Sequence, residues 1–295
     1  MTATSQTTFI HNSAERPGIP KLIANGFREA WSRRQLIRWL VQADVKKKGS
    51  DTVLGNVWWI LDPLLQMLVY VVLVSFIFER KQPDFPLFVF AAILPWKWFT
   101  TSVGDSISSV VSQGPLVRQL QFPKVVLPLS AAFAGVVNFA FGMIPLLGLL
   151  LFFYRDRLSP LIVLIPVIAV VQLAFTLGFS LALSAMNVFL RDIGNVSRHL
   201  LRLWWYLSPG IYAIETLQHS STLESHATVL RILEANPFAI LFTAYRSVIY
   251  GTSDGGHPIM PDWTSLGILF VVSLVMILIG MAVFKRLEPS FAKVL

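Results

Sequence analysis

The chain is 295 residues long, 55% hydrophobic and only 14% charged, with a mean hydropathy of +0.64. A single soluble core cannot bury that much apolar surface, so the composition excludes an ordinary soluble domain and predicts an all-α integral membrane protein. Cysteine is absent, which excludes disulfides, cysteine-bearing zinc sites and thiol nucleophiles.

Residues 1–20 are polar, punctuated by Pro and Gly, and free of helical period. Residues 1–24 are read as a flexible cytoplasmic tail. A secretory signal would place an apolar core within about 30 residues of Met1, yet the first long apolar run starts near Val57. In between, residues 25–48 carry Phe27, Ala30, Trp31, Ile37, Val41 and Val45 on one helical face, about 120° wide at 100° per residue. This predicts an amphipathic helix lying on the inner membrane surface, with a basic anchor that only fixes topology as the plainer reading. Arg34 and Arg38 intrude on the apolar face, which requires snorkelling or a bend.

A crossing helix needs roughly 20 mostly apolar residues. Six stretches qualify, at 57–78, 86–110, 125–153, 161–190, 200–217 and 263–284, and they define a transmembrane domain over 57–284. The fifth is broken by Pro209-Gly210 and carries Arg202. Residues 218–262 are placed outside, too long for an ordinary hairpin. Within them, 237–250 (PFAILFTAYRSVIY) is apolar but too short to cross, which predicts a re-entrant or interfacial hairpin before the last span. Residues 285–295 are read as a cytoplasmic C-terminal tail.

With the N-terminus inside, the inner segments hold 17 basic against 6 acidic residues, and the outer segments 6 against 8. That asymmetry obeys the positive-inside rule and puts both termini in the cytoplasm. It also accounts for the net charge of +8 without a nucleic-acid partner. Asp62, Lys97 and Asp105 are left inside the spans.

No Gly-Lys pair occurs, so the chain lacks the phosphate loop G-x-x-x-x-G-K-[ST] and cannot bind ATP by that route. His11, His199, His219, His226 and His257 include no H-x-x-x-H pair, and no G-x-S-x-G elbow is present. Neither a catalytic residue nor a metal site is predicted. The second span carries a polar stripe, Lys97, Thr101, Gly104, Asp105, Ser108 and Ser112, within about 100° of one face, while Phe88, Ala92, Trp96, Phe99 and Val103 occupy another. Such a stripe does not belong against lipid and is read as bordering a translocation path. The structural alternative is that Lys97 snorkels or binds carbonyls in the bundle. An aromatic set, Trp58, Trp59, Trp96, Phe99, Trp204, Trp205 and Tyr245, with Arg246 beside it, suits a path for sugars, an interfacial belt or plain core equally well by residue type.

Several runs resemble the permease subunits of ABC type-2 exporters, in particular those of O-antigen, teichoic-acid and related polysaccharides, over nearly the whole chain after residue 25. Leu54-Gly55-Asn56-Val57-Trp58-Trp59-Ile60-Leu61-Asp62-Pro63 is similar to the family's approach to the first span, with Asp62 a departure from its uncharged pattern. Phe85-Pro86-Leu87-Phe88 through Leu94-Pro95-Trp96-Lys97-Trp98-Phe99 resembles the second span. Gln121-Phe122-Pro123-Lys124 resembles the exit from the first coupling region, and Asn236-Pro237 with Tyr245-Arg246 resembles the outer gate hairpins, which implies re-entrant gate helices in an outer gate region over 218–262.

The resemblance implies a cytoplasmic ATPase subunit that binds ATP and Mg, this chain itself holding no cofactor. It also implies a second copy of the chain, surrounding membrane lipids, a lipid-linked polysaccharide as cargo, and residence in the bacterial cytoplasmic membrane. Arg118, Gln119, Arg191, Asp192, Arg34 and Arg38 are the candidate contacts to the ATPase, although short charged connections are also common as solvated loops. The competing readings are a drug or small-lipid exporter of the same superfamily, and a membrane enzyme of lipid-carrier glycan metabolism.

Overall fold

Inside hydrocarbon a backbone finds no water, so each apolar run must pair its N–H and C=O groups internally, and a helix is the direct solution. In a computed structural model describing residues 18–50, 53–77, 83–213, 231, 233–251 and 256–295, every regular element among the described residues is helical. Two surface helices come first, α1 (Ile19–Ser32) and α2 (Arg34–Ser50). Then follow α3 (Trp58–Val71, continued by a π-helical turn over Val72–Ile77), α4 (Phe85–Ser112), α5 (Gly114–Gln119), α6 (Val126–Phe152) and α7 (Ile165–Phe189). The chain closes with α8 (Asp192–Leu207), α9 (Pro237–Ile249), α10 (Trp263–Leu287) and α11 (Phe291–Val294). Five of these segments are long and apolar enough to cross a membrane, at Trp58–Ile77, Phe85–Ser112, Val126–Phe152, Pro160–Phe189 and Trp263–Val294.

Three boundaries differ from the sequence reading. The amphipathic segment starts six residues early, because Pro20 pre-organises a first turn after Gly18, and it divides at Arg33. The bend lets α1 lie on α10, where Gly26 is needed: a Cβ there would stand 2.9 Å from Met281 Cγ. The fifth stretch is not a helix over 200–217. It begins earlier, at Asp192, and stops at Leu207, because Ser208 is extended (φ −102°, ψ 147°) ahead of Pro209, the conformation that a following proline favours. The tail reading over 1–17, residues 214–217 of the fifth stretch and much of the outer gate region, including 218–230, lie outside the described residues.

α4 is the axis of the bundle, buried on most sides by α3, α6, α7, α8 and α9. Small residues let helices meet closely. Gly135 on α6 faces Trp98 and Ser102, and an added Cβ would lie 3.0 Å from Trp98 Cδ1. Gly280 on α10 faces the backbone of α7, with the Gly178 carbonyl oxygen 2.8 Å from its would-be Cβ. At one end of the bundle Lys285 pairs with Glu29 (2.7 Å) and Glu288 (2.5 Å), and Phe291 packs on Phe189 and Phe284. The N-terminal helices and the C-terminus therefore share an end. At the other end Arg157 pairs with Asp84 (2.9 Å) and donates to the Tyr250 carbonyl (3.1 Å).

Candidate functional site

From Lys97 onward, the residues of α4 that escape burial are Lys97, Thr100, Thr101, Gly104, Asp105, Ser108, Val111 and Ser112. The polar stripe predicted from the sequence is thus the exposed strip of an otherwise buried helix. It opens on a groove of about 330 Å³ between α3, α4 and α6, closed below by Lys48 of α2. Trp58 and Trp59 flank it at the start of α3, where Gly55, held at φ +50°, turns the chain from the surface helix into the crossing one.

Its charges are paired across helices. Lys97 on α4 donates to Asp62 on α3, and Lys48 on α2 donates to Asp105 on α4 at 2.6 Å while pairing with Asp44 at 3.0 Å. Burial works against the Lys48 charge, but Asp105 and Asp44 outweigh it and hold the ammonium above the ordinary lysine range. The Asp62 side chain stays 62% exposed and Lys97 25%, so the pair stands in the groove wall and remains open to a ligand. Trp98 and Asn138 also line this space, but Trp98 Nε1 and Asn138 Oδ1 are themselves shut off from solvent, each without a hydrogen-bond partner among the described residues. Indole faces, carboxylates and ammonium groups together give the groove a wall that is both flat-faced and polar.

Most of the aromatic candidates sit elsewhere. Trp96, Phe99, Trp205 and Tyr245 are buried within the subunit, and Trp204 is half-buried. Phe238 of α9 is the hub, with ring centroids 4.7 Å from both Trp96 and Phe99 and 5.2 Å from Trp204. Trp205 Nε1 donates to the Tyr70 hydroxyl at 2.7 Å, tying α8 to α3, and Trp204 Nε1 donates to Asn236 Oδ1 at 3.1 Å. Arg246 is buried as well. Its guanidinium donates to the carbonyls of Phe88 (3.1 Å), Pro209 (2.6 Å) and Gly210 (2.5 Å) and lies 3.5 Å from the Phe88 ring centroid. In this packing these six residues hold α9 and the Pro209-Gly210 break against α4; Trp58 and Trp59 alone of the aromatic set line the groove.

Arg118, Gln119, Arg191 and Asp192 are exposed at the end shared by the termini. Asn187 connects that end to the bundle, donating to the Ile107 carbonyl of α4 (2.9 Å) and accepting from the Gly194 N–H of α8 (3.0 Å). Arg34 and Arg38 lie apart from these four, beside a crevice under α6. Sequence reasoning left Asp62 without a role and treated Lys48 as one more basic residue of the surface helix. The signal was present: two opposite charges within spans, Asp62 and Lys97, are expected to seek one another.

Residues 35–250 match the family described as ABC-2 type transporter. The O-antigen export system permease protein RfbA of Myxococcus xanthus is 34% identical over 266 residues, covering 90% of this chain and 97% of that protein. Two proteins of the same name from Klebsiella pneumoniae are 27% and 26% identical over 258 residues, covering 87% of this chain and 93% of each relative.

Proposed function

The chain belongs to the ABC-2 type transporter family, and we propose that it is the permease subunit exporting a lipid-linked polysaccharide of the O-antigen class across the bacterial cytoplasmic membrane. The observation that carries this reading is the nearly end-to-end similarity to permeases named for O-antigen export. ATP and its Mg are bound by a separate cytoplasmic ATPase, and the working assembly has two permeases and two ATPases.

Both termini face the cytoplasm, with the ATPase seated against Arg118, Gln119, Arg191 and Asp192. A parity argument supports six crossings. The terminal helices share one end of the bundle, which requires an even number of passages, while five long spans are present. α8 with residues 208–213 after it supplies the sixth. α8 alone rises about 24 Å at 1.5 Å per residue, short of the ~30 Å of hydrocarbon. α9 then acts as a re-entrant gate element, running between the level of Trp96 and that of Asp84.

The groove on α4 borders the path, with Lys97, Thr101 and Asp105 offering polar contacts, Ser108 continuing the exposed strip beyond it, and Trp58 and Trp59 offering flat apolar faces to sugar rings. Asn187 links the ATPase-facing turn directly to α4, so displacement at Arg191 is carried to the groove through one side chain. Export of a drug or small lipid is the second reading, and the paired charges of the groove wall favour a hydroxylated cargo over an apolar one. The test is genetic: deletion in the native host leaves lipid-linked polymer inside the cell and a bare surface, and a plasmid copy restores export. Normal surface polysaccharide in the deletion strain refutes the reading.

A further inference from the structure

Arg34 and Arg38 are anomalous on the sequence, two guanidinium groups on the apolar face of a surface helix, and their surroundings supply a reason. They line a crevice of about 590 Å³ between α1–α2 and the undersides of α6, α7 and α10. On each of the three crossing helices the lining residues stand one turn apart: Leu129 and Phe133, Leu177 and Leu181, Ile277 and Met281. The walls are therefore apolar to a depth of about 6 Å above the surface helices. Besides Arg34 and Arg38, Gln42 is the one polar side chain in the lining.

Neither arginine has a carboxylate partner among the described residues. Arg34 donates to the Trp31 carbonyl at 3.3 Å and rests 5.7 Å from the Trp31 ring centroid, and both side chains are exposed. Spaced i, i+4, their Cβ atoms are about 5–6 Å apart, close enough for both to reach one phosphate. Two unpaired cations beside an apolar slot at the level of the membrane interface complement an anionic lipid, acyl chain in the slot and phosphate on the arginines.

We propose that this crevice is a binding site for one anionic glycerophospholipid of the inner leaflet, its phosphate held by Arg34 and Arg38 and one acyl chain lying under α6, α7 and α10. The lipid is resident and is not cargo. The crevice shares no lining residue with the groove on α4, and α6 stands between them, with Phe133 facing one and Asn138 the other. The crevice also lacks the hydroxyl-matching groups that a glycan would need. The site fixes α1 and α2 to the bundle through a lipid wedge, and it stands whether or not the transport reading holds.

The test uses the purified full chain in mild detergent, incubated separately with phosphatidylglycerol, phosphatidylcholine or a polyprenyl monophosphate and examined by native mass spectrometry. One phosphatidylglycerol per chain is retained in preference to phosphatidylcholine. The double substitution Arg34→Gln with Arg38→Gln weakens that retention by about 30-fold, the ratio set by two basic side chains at an anionic interface. Gln42→Glu, an exposed change that adds a like charge beside the phosphate, weakens retention of phosphatidylglycerol and keeps the test valid if the double variant misfolds. Equal retention of the two phospholipids, preferential retention of the polyprenyl phosphate, or wild-type retention by a folded double variant overturns the proposal.

Discussion

Lys97 on α4 and Asp62 on α3 form an ion pair across the groove, each supplying the counter-charge that the other lacks inside an apolar span. An unpaired ammonium near mid-membrane costs at least ~2.5 kcal/mol, so Lys97→Met and Asp62→Asn should each strand one charge and reduce export. The informative variant is the reversal, Asp62→Lys with Lys97→Asp. It should restore folded protein to the wild-type level but not export, measured as surface polysaccharide at matched protein amounts. Restored export would assign the pair to helix packing alone.

Trp96 and Trp58 should separate structure from transport. Trp96 packs against Trp204, Trp205, Phe238 and Phe242, and Trp96→Ala should cost about 3–5 kcal/mol. The readout is a large drop in thermal stability in detergent. Trp58 is 44% exposed beside the groove; Trp58→Ala should change stability by about 0.5 kcal/mol or less while lowering export. The opposite pattern would put Trp96 in the path.

Gly178→Ala should destabilise by about 1–3 kcal/mol through overpacking, because the new methyl would lie 2.7 Å from Met276 Cβ and 3.1 Å from its carbonyl carbon. Gly267 on the same helix pair has no heavy atom within 4 Å of a would-be Cβ. Gly267→Ala should therefore be neutral, or more stable by up to about 1 kcal/mol from helix propensity. Unfolding midpoints of the two variants, measured side by side, decide the point.

The purified chain alone should hydrolyse no ATP, and hydrolysis should appear only with its ATPase subunit. Arg118→Ala with Arg191→Ala removes two exposed cations, so the fold should survive while copurification of the ATPase falls. Undiminished pairing in that double variant would place the docking surface elsewhere.

Arg246→Lys tests the clamp on the Pro209-Gly210 break. A lysine ammonium has three donors and no planar fork, and cannot reach the carbonyls of Phe88, Pro209 and Gly210 together. Leaving one such buried acceptor unmet costs about 1–3 kcal/mol. The variant should show a lowered unfolding temperature even where Tyr245 and its neighbours are unchanged.

What the sequence determined by itself was set by local physics. Four of the six predicted spans match an apolar helical segment to within two residues at each end, as with 57–78 against Trp58–Ile77 and 125–153 against Val126–Phe152, and a fifth matches at its start, Trp263, because a long apolar segment in hydrocarbon satisfies its backbone as a helix. The stripe from Lys97 to Ser112 was legible for a similar reason, since helical period alone puts those residues on one face. Partnership was decided by the tertiary structure. Asp62 meets Lys97 from 35 residues away and Lys48 meets Asp105 from 57, distances at which sequence spacing carries no geometry. Aromatic residue type could not say whether Trp96 faces a channel or a core, because either environment accepts an indole; its burial against Phe238 was fixed by how α9 folds back onto α4. The two arginines on the apolar face of α2 looked like an error in the pattern until the bend at Arg33 and the undersides of α6, α7 and α10 enclosed a crevice beside them.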